Sequence, residues 1–242
     1  VRVNAGTGNG TIRLDIVDDD SITDAAGNPL GGIGAGNGDF SAGEAYLINQ
    51  SITKVKATIF TSQPAFDGWV LESGENTNVG GSLDKGATTF SVGDDQNDQQ
   101  YRGILSFDTS SLPNKAVILL VQLKIMQQGI VGSDPFLTHG DLLAEIRDGT
   151  FSDKAILQMD DFSAAPTPGS VLETFKELAP SWVGVELQDA NLALVNKSGA
   201  TQFRLSFRQD DNDDLEADFV KFYSGNAVSS SRPQLTVTYY IP

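Results

Sequence analysis

Apolar and polar side chains alternate with a period of two along most of this chain, the pattern of strands that bury one face. The clearest run is Tyr101 to Phe107, where Tyr101, Gly103, Leu105 and Phe107 fall on one face of a half-buried strand. Phe203, Leu205 and Phe207 alternate in the same way with Arg204, Ser206 and Arg208, and Val55, Ala57 and Ile59 alternate with lysines and Thr58. Ile12, Leu14 and Ile16 alternate with Arg13 and Asp15. Shorter runs at Glu44 to Ile48, Phe66 to Leu71, Leu142 to Ile146, Val183 to Leu187, Phe219 to Tyr223 and Leu235 to Tyr239 predict further strands. Ala116 to Met126 is apolar on both faces over Val117 to Val121, which predicts a central strand. Clusters of Gly, Asn, Asp, Ser and Pro separate these runs. One or two helical turns are expected at Asp189 to Val195, with Leu192 and Val195 inward; Asp153 to Asp160 fits neither period. Many short strands with turn signals between them predict an all-β antiparallel sandwich.

Residues 1–50 have a different texture. Asp18 to Leu30 is turn chemistry throughout, and Gly31 to Gly38 is a Gly-rich loop. Two or three strands cannot close a sandwich, because an isolated hairpin is marginal in water. This stretch is therefore expected to pack on the main domain or on another chain, with Ile12, Leu14, Ile16, Tyr46 and Ile48 as its assembly residues. The chain opens at Val1 inside a strand-like pattern, with neither an initiator Met nor a signal sequence, as a mature or excised part of a longer protein would.

Charge narrows the partners. With 32 acidic and 16 basic residues among 242, the net charge is −16. Such a chain repels nucleic acid and anionic membrane surfaces. No apolar run approaches the roughly 18–20 residues of a membrane helix, so membrane insertion is not expected. There is no Cys and a single His, His139, so a disulfide scaffold, a thiolate site, a His-dependent triad and a His-rich zinc site all lack material. Gly80 to Asp84 is not a nucleophile elbow, and Gly32 to Gly38 misses the dinucleotide register. Chance carboxylate pairs are inevitable at this acidity, so the expectation is a protein without catalytic activity.

Acidic loops do suit hard cations. Three stand out: Asp18, Asp20 and Asp24; Asp94, Asp95, Asn97 and Asp98; and Asp210, Asn212, Asp214, Glu216 and Asp218. The third contains D-x-N-x-D spacing without the Gly and late Glu of an EF-hand. Structural Ca2+ is the expected cofactor, against the plainer reading of solvated loop carboxylates. Sugar binding would draw on Trp69, Tyr101, Trp182, Tyr223 and Tyr240. For Trp69 and Tyr101 core packing is the competing reading, and Tyr240 is out of phase with Leu235, Val237 and Tyr239.

Two resemblances organise these expectations. Gly10 to Leu14, Ser21 to Leu30 and Gly43 to Tyr46 resemble the C-terminal half of a bacterial Ig-like surface domain. From about Gln63 to Tyr240 the chain is similar to the DNRLRE-type β-sandwich modules of bacterial extracellular proteins. The matching runs are Asp67-Gly-Trp-Val70, Glu75 to Gly80, Phe90 to Gly93, Arg102-Gly-Ile-Leu-Ser-Phe-Asp-Thr-Ser-Ser-Leu-Pro113, Val121 to Lys124, Lys221 to Asn226 and Arg232 to Tyr239. Pro135 to Asp141 and Pro166 to Pro180 depart from the pattern. The resemblance implies a jelly-roll-like sandwich over 51–242 and an Ig-like segment over 1–50. It also implies a non-catalytic extracellular role. One form is a structural or adhesive unit of a cell-surface fibre, self-associating or contacting neighbouring domains. The alternative is a calcium-stabilised carbohydrate-binding module that takes a polysaccharide.

Overall fold

A computed structural model describes residues 9–48 and 54–242. The chain is all-β, 43% strand and 5% helix, so strand pairing rather than helix packing organises it. It divides into two compact units, 1–53 and 54–242.

In the first unit β1 (Gly10–Arg13) and β2 (Ala45–Ile48) form a two-stranded antiparallel sheet with Ile12 opposite Tyr46. The strand expected to run through Ile16 stops at Arg13; Ile16 makes only an isolated bridge to Phe40. Side-chain acceptors take over the backbone donors beyond that point, as short carboxylates do in turns. Asp39 accepts from Asp18 N, and Asp18 accepts from Asp20 N and Gly38 N. Asp20 accepts from Gly34 N, and Asp24 from Ala26 N and Asn28 N.

The second unit begins with β3 (Lys56–Thr61), β4 (Gly68–Glu72), β5 (Gly80–Asp84), β6 (Thr89–Asp94), β7 (Gln100–Asp108) and β8 (Val117–Val131). A short helix α1 (Pro135–Thr138) leads into β9 (Leu142–Asp148). After a 3-10 turn at Met159–Phe162 come β10 (Glu173–Thr174), β11 (Lys176–Ala179), β12 (Trp182–Glu186) and the helical turn α2 (Asp189–Leu192). β13 (Ala200–Phe207), β14 (Asp218–Tyr223) and β15 (Gln234–Tyr240) close the chain. One layer runs β11-β12-β8-β15-β3; the other runs β10-β9-β13-β7-β6-β14-β8, with β4 and then β5 on the other flank of β7. Every pairing within these layers is antiparallel. β8 serves both layers: residues up to Met126 pair β12 and β15, and those from Gln127 pair β14. A long strand that changes sheets makes the corner of the sandwich.

The core lies between the layers. Phe90, Val92, Leu105, Phe107, Phe203, Leu205, Val220 and Phe222 pack with Val121, Leu123, Ile125, Val183, Val185, Leu235 and Val237, all buried. Phe90 and Phe222 lie 5.5 Å apart between ring centroids, and Phe107 and Phe203 5.9 Å. Leu192 and Val195 do face this core, although α2 ends at Leu192. The Tyr101–Phe107 strand is not half-buried as the alternation predicts. Ile104 on its other face is fully buried with Val70 under Phe151, Leu157 and Phe162 of the segment between β9 and β10. Arg102 lies 4.0 Å from the Phe162 ring centroid and donates to the Phe162 carbonyl; Arg204 donates to the carbonyls of Asp161, Phe162 and Ala164. Burial and the neighbouring Arg204 charge push the Arg102 pKa down to about 10, which leaves it charged at neutral pH. Conversely, Val117, Leu119 and Leu120 are exposed and only Ile118 of this stretch packs on the core, so the doubly apolar run is not a covered central strand at its start.

Candidate functional site

β6 and β14 pair with Asp94 directly opposite Asp218. These two carboxylates continue the core-facing rows Phe90–Val92 and Val220–Phe222 by one more step, so both are fully buried. Asp218 N donates to Asp94 Oδ1 (3.1 Å), Ser133 N to Asp218 Oδ1 (2.7 Å), and Asn212 Nδ2 to Asp218 Oδ2 (3.2 Å). Asn212 Nδ2 also reaches Asp214 Oδ2 at 2.9 Å. Asp94 Oδ2 and Asn212 Oδ1 are buried and meet no donor. Among the described residues five buried side-chain atoms are orphaned in this way, and three of them, Asp94 Oδ2, Asn212 Oδ1 and His139 Nε2, belong to residues joined to Asp94 or Asp218.

His139 closes the cluster from the C-terminus of α1. The helix starts because Asp134 caps Phe136 N at 3.0 Å and Pro135 presets the first helical φ. His139 is buried, its Nδ1 bonded to Thr138 Oγ1 at 2.7 Å. Its Nε2 lies 3.2 Å from Asp94 Oδ1 without the alignment of a hydrogen bond. Burial opposes the imidazolium, but Asp94, Asp218 and Asp211 outweigh it and raise the His139 pKa. Burial raises the Asp94 pKa, against the attraction of His139 and with repulsion from Asp218. Asp211 is pushed up to about 6 by burial and by the charges of Asp210, Asp213 and Asp98.

The fold thus gathers two of the three acidic loops. Leu215 N donates to Asp98 Oδ1 at 3.1 Å, tying the 94–98 loop to the 208–217 loop. Asp95 is taken up within its own loop by Asn97 N and Gln99 N. Asp214 accepts from Glu216 N, both residues being exposed. Asp210 points elsewhere, into a polar groove with Gln100, Arg102 and Arg208. Asp18, Asp20 and Asp24 belong to the first unit, where backbone donors occupy them. Among the described residues no three His, Asp or Glu side chains converge as a metal cluster. The oxygens left without a donor there are Asp94 Oδ2 and Asn212 Oδ1, while both oxygens of Asp218 accept hydrogen bonds. The sequence marks His139 only as the lone histidine and gives neither it nor Ser133 a place here; Asp134 before Pro135, an N-cap pattern, is the signal that could have marked this corner.

The aromatic candidates separate. Trp69 and Tyr101 meet edge to face at 5.1 Å, and Tyr101 continues to Phe219 at 5.2 Å, with Trp69 packed on the core. Trp182 lies instead in a cleft of about 350 Å³ with Phe136, Gln127, Asp134, Lys176 and Glu177. Lys124 Nζ stands 4.9 Å from its ring centroid. Tyr223 and Tyr240 are half-buried and, among the described residues, join neither group.

In the first unit Leu14, Tyr46 and Leu47 are 64%, 61% and 75% exposed, while Ile12, Ile16 and Ile48 are half-buried. Leu14, Ile16, Phe40 and Tyr46 line a shallow apolar depression there. No helix among the described residues is long and apolar enough to cross a membrane. No family model matches the chain, and no curated protein matches it.

Proposed function

We propose that this chain is a non-catalytic module of a bacterial extracellular surface protein, a structural or adhesive unit that associates through the strands of its first unit. The observation that carries this reading is the two-stranded β1–β2 sheet with Leu14, Tyr46 and Leu47 in water. A two-stranded sheet alone is marginal, and among the described residues no further strand pairs with its outer edges, where N–H and C=O groups can accept another strand. Strand addition supplies both the missing hydrogen bonds and cover for the apolar side chains. A head-to-tail contact of that kind does not close and builds a fibre. The Ig-like resemblance of residues 10–46 and the DNRLRE-type resemblance of the second unit support the same role.

Negative-stain electron microscopy of the full chain at high concentration tests it. Regular filaments are the expected result, lost in Leu47→Asp; dispersed particles for the unaltered chain, with no concentration dependence, would count against it.

A second reading rests on the Trp182 cleft, where an indole and Phe136 stand among amide, carboxylate and ammonium groups. Aromatic faces beside planar polar groups suit a sugar ring, and the DNRLRE-type resemblance extends to carbohydrate-binding modules. Under this reading the chain is retained on insoluble polysaccharide and Trp182→Ala is not. Equal retention of both would remove it.

A further inference from the structure

At the rim where β6 and β14 end, the core does not close on apolar side chains. It closes on Asp94 and Asp218, both fully buried and cross-strand partners. Two carboxylates side by side repel each other, and burial strengthens that repulsion. The groups nearby relieve it only in part, His139 being drawn toward its charged form beside Asp94. His139 offers one nitrogen to Asp94 Oδ1 in poor alignment, and the amide of Asn212 is shared between Asp214 and Asp218. Asp94 Oδ2 and Asn212 Oδ1, both acceptors, are left without a donor. A buried acceptor without a partner is costly, and a native cluster keeps one for a reason.

We propose that Asp94, Asp218 and Asn212 hold a hard divalent cation of the calcium type at this rim. The available donors are oxygens on two strand ends and one loop, an irregular set. Ca2+ accepts six to eight oxygens in flexible geometry, with water completing the shell, whereas Mg2+ demands a near-ideal octahedron. A bound ion gives Asp94 Oδ2 its missing partner and neutralises the Asp94–Asp218 pair. It also fastens the 208–217 loop to the end of β6, beside the Asp98–Leu215 bond that already joins the two acidic loops. This site stands whether or not the first unit assembles, because all its residues belong to the second unit.

The test is calorimetric titration of the EDTA-stripped full chain with CaCl2 and with MgCl2, alongside thermal unfolding in each. The expected result is about one Ca2+ per chain and a Tm rise of about 5 °C in excess Ca2+, with Mg2+ at least about tenfold weaker. Asp94→Asn is expected to abolish binding and Asn212→Ala to weaken it about tenfold, both variants melting cooperatively without the ion. Should Asp94→Asn not fold, Asn212→Ala, in a partly exposed loop, decides alone. No Ca2+ binding by the unaltered chain, or undiminished binding by the foldable variants, would overturn the site. Equal affinity for Mg2+ would overturn its assignment to calcium.

Discussion

Asp67 shows what a single buried carboxylate does in this fold. It lies at the start of β4, fully buried, accepting from Gly225 N with Oδ2 while Oδ1 has no partner. Burial pushes its pKa up to about 6, against the Ser62 hydroxyl, the Gly225 N–H and the Arg232 charge. The unfolded carboxyl titrates near 4. The folded chain therefore binds the extra proton between those values, and this group's contribution to stability grows as pH falls through about 6 and levels off below about 4. Asp67→Asn is expected to raise stability at pH 7 by about 2 kcal/mol and to lose the advantage near pH 4, read by urea unfolding at both pH values. A constant difference across pH would contradict it. At this scale the sequence is nearly silent. Asp67, Asp94, Asp161 and Asp218 are buried, whereas Asp24 and Asp213 lie in exposed turns, and nothing in composition separates the two sets.

At the scale of elements, periodicity reports the face toward the main core in β7 and β13 and misses what covers the other, while in β3 it picks the wrong face: Val55 and Ile59 are exposed and Phe60 is buried. Tyr101, Gly103, Leu105 and Phe107 do share a face, and Gly103 is there because the Phe90 ring fills the space: an added Cβ would lie 2.7 Å from Phe90 Cδ2. Gly103→Ala is expected to cost about 1–3 kcal/mol through overpacking, measured by denaturant unfolding. A neutral effect would mean that Phe90 has room to move. The second face of that strand was illegible because its cover, Phe151 to Phe162, carries no regular period. Phe162→Ala should cost about 3–5 kcal/mol, since it empties the small cluster and strips the ring from under Arg102. A loss under 1 kcal/mol, the range of surface changes, would show that this segment is a loose flap. The strands β5, β10 and β11 lacked any signal, being short and at layer edges.

At the scale of the whole molecule, the sandwich was legible from strand count and turn spacing, because many short alternating runs admit few other architectures. The buried carboxylate rim was half legible: the acidic loops are plain in the sequence, but the register that sets Asp94 opposite Asp218 depends on residues 124 apart. The same scale separates two kinds of stability. The second unit has a continuous two-layer core, whereas the described part of the first has a two-stranded sheet and a set of Asp-capped loops. That contrast is the physical basis for assigning association to the first unit. The most direct test is the light-scattering mass of the full chain across a hundredfold range of concentration, beside Leu47→Asp. The account predicts a mass that climbs well above the 25.7 kDa of one chain and a variant that stays at it. A full chain that remains monomeric throughout the range would contradict it.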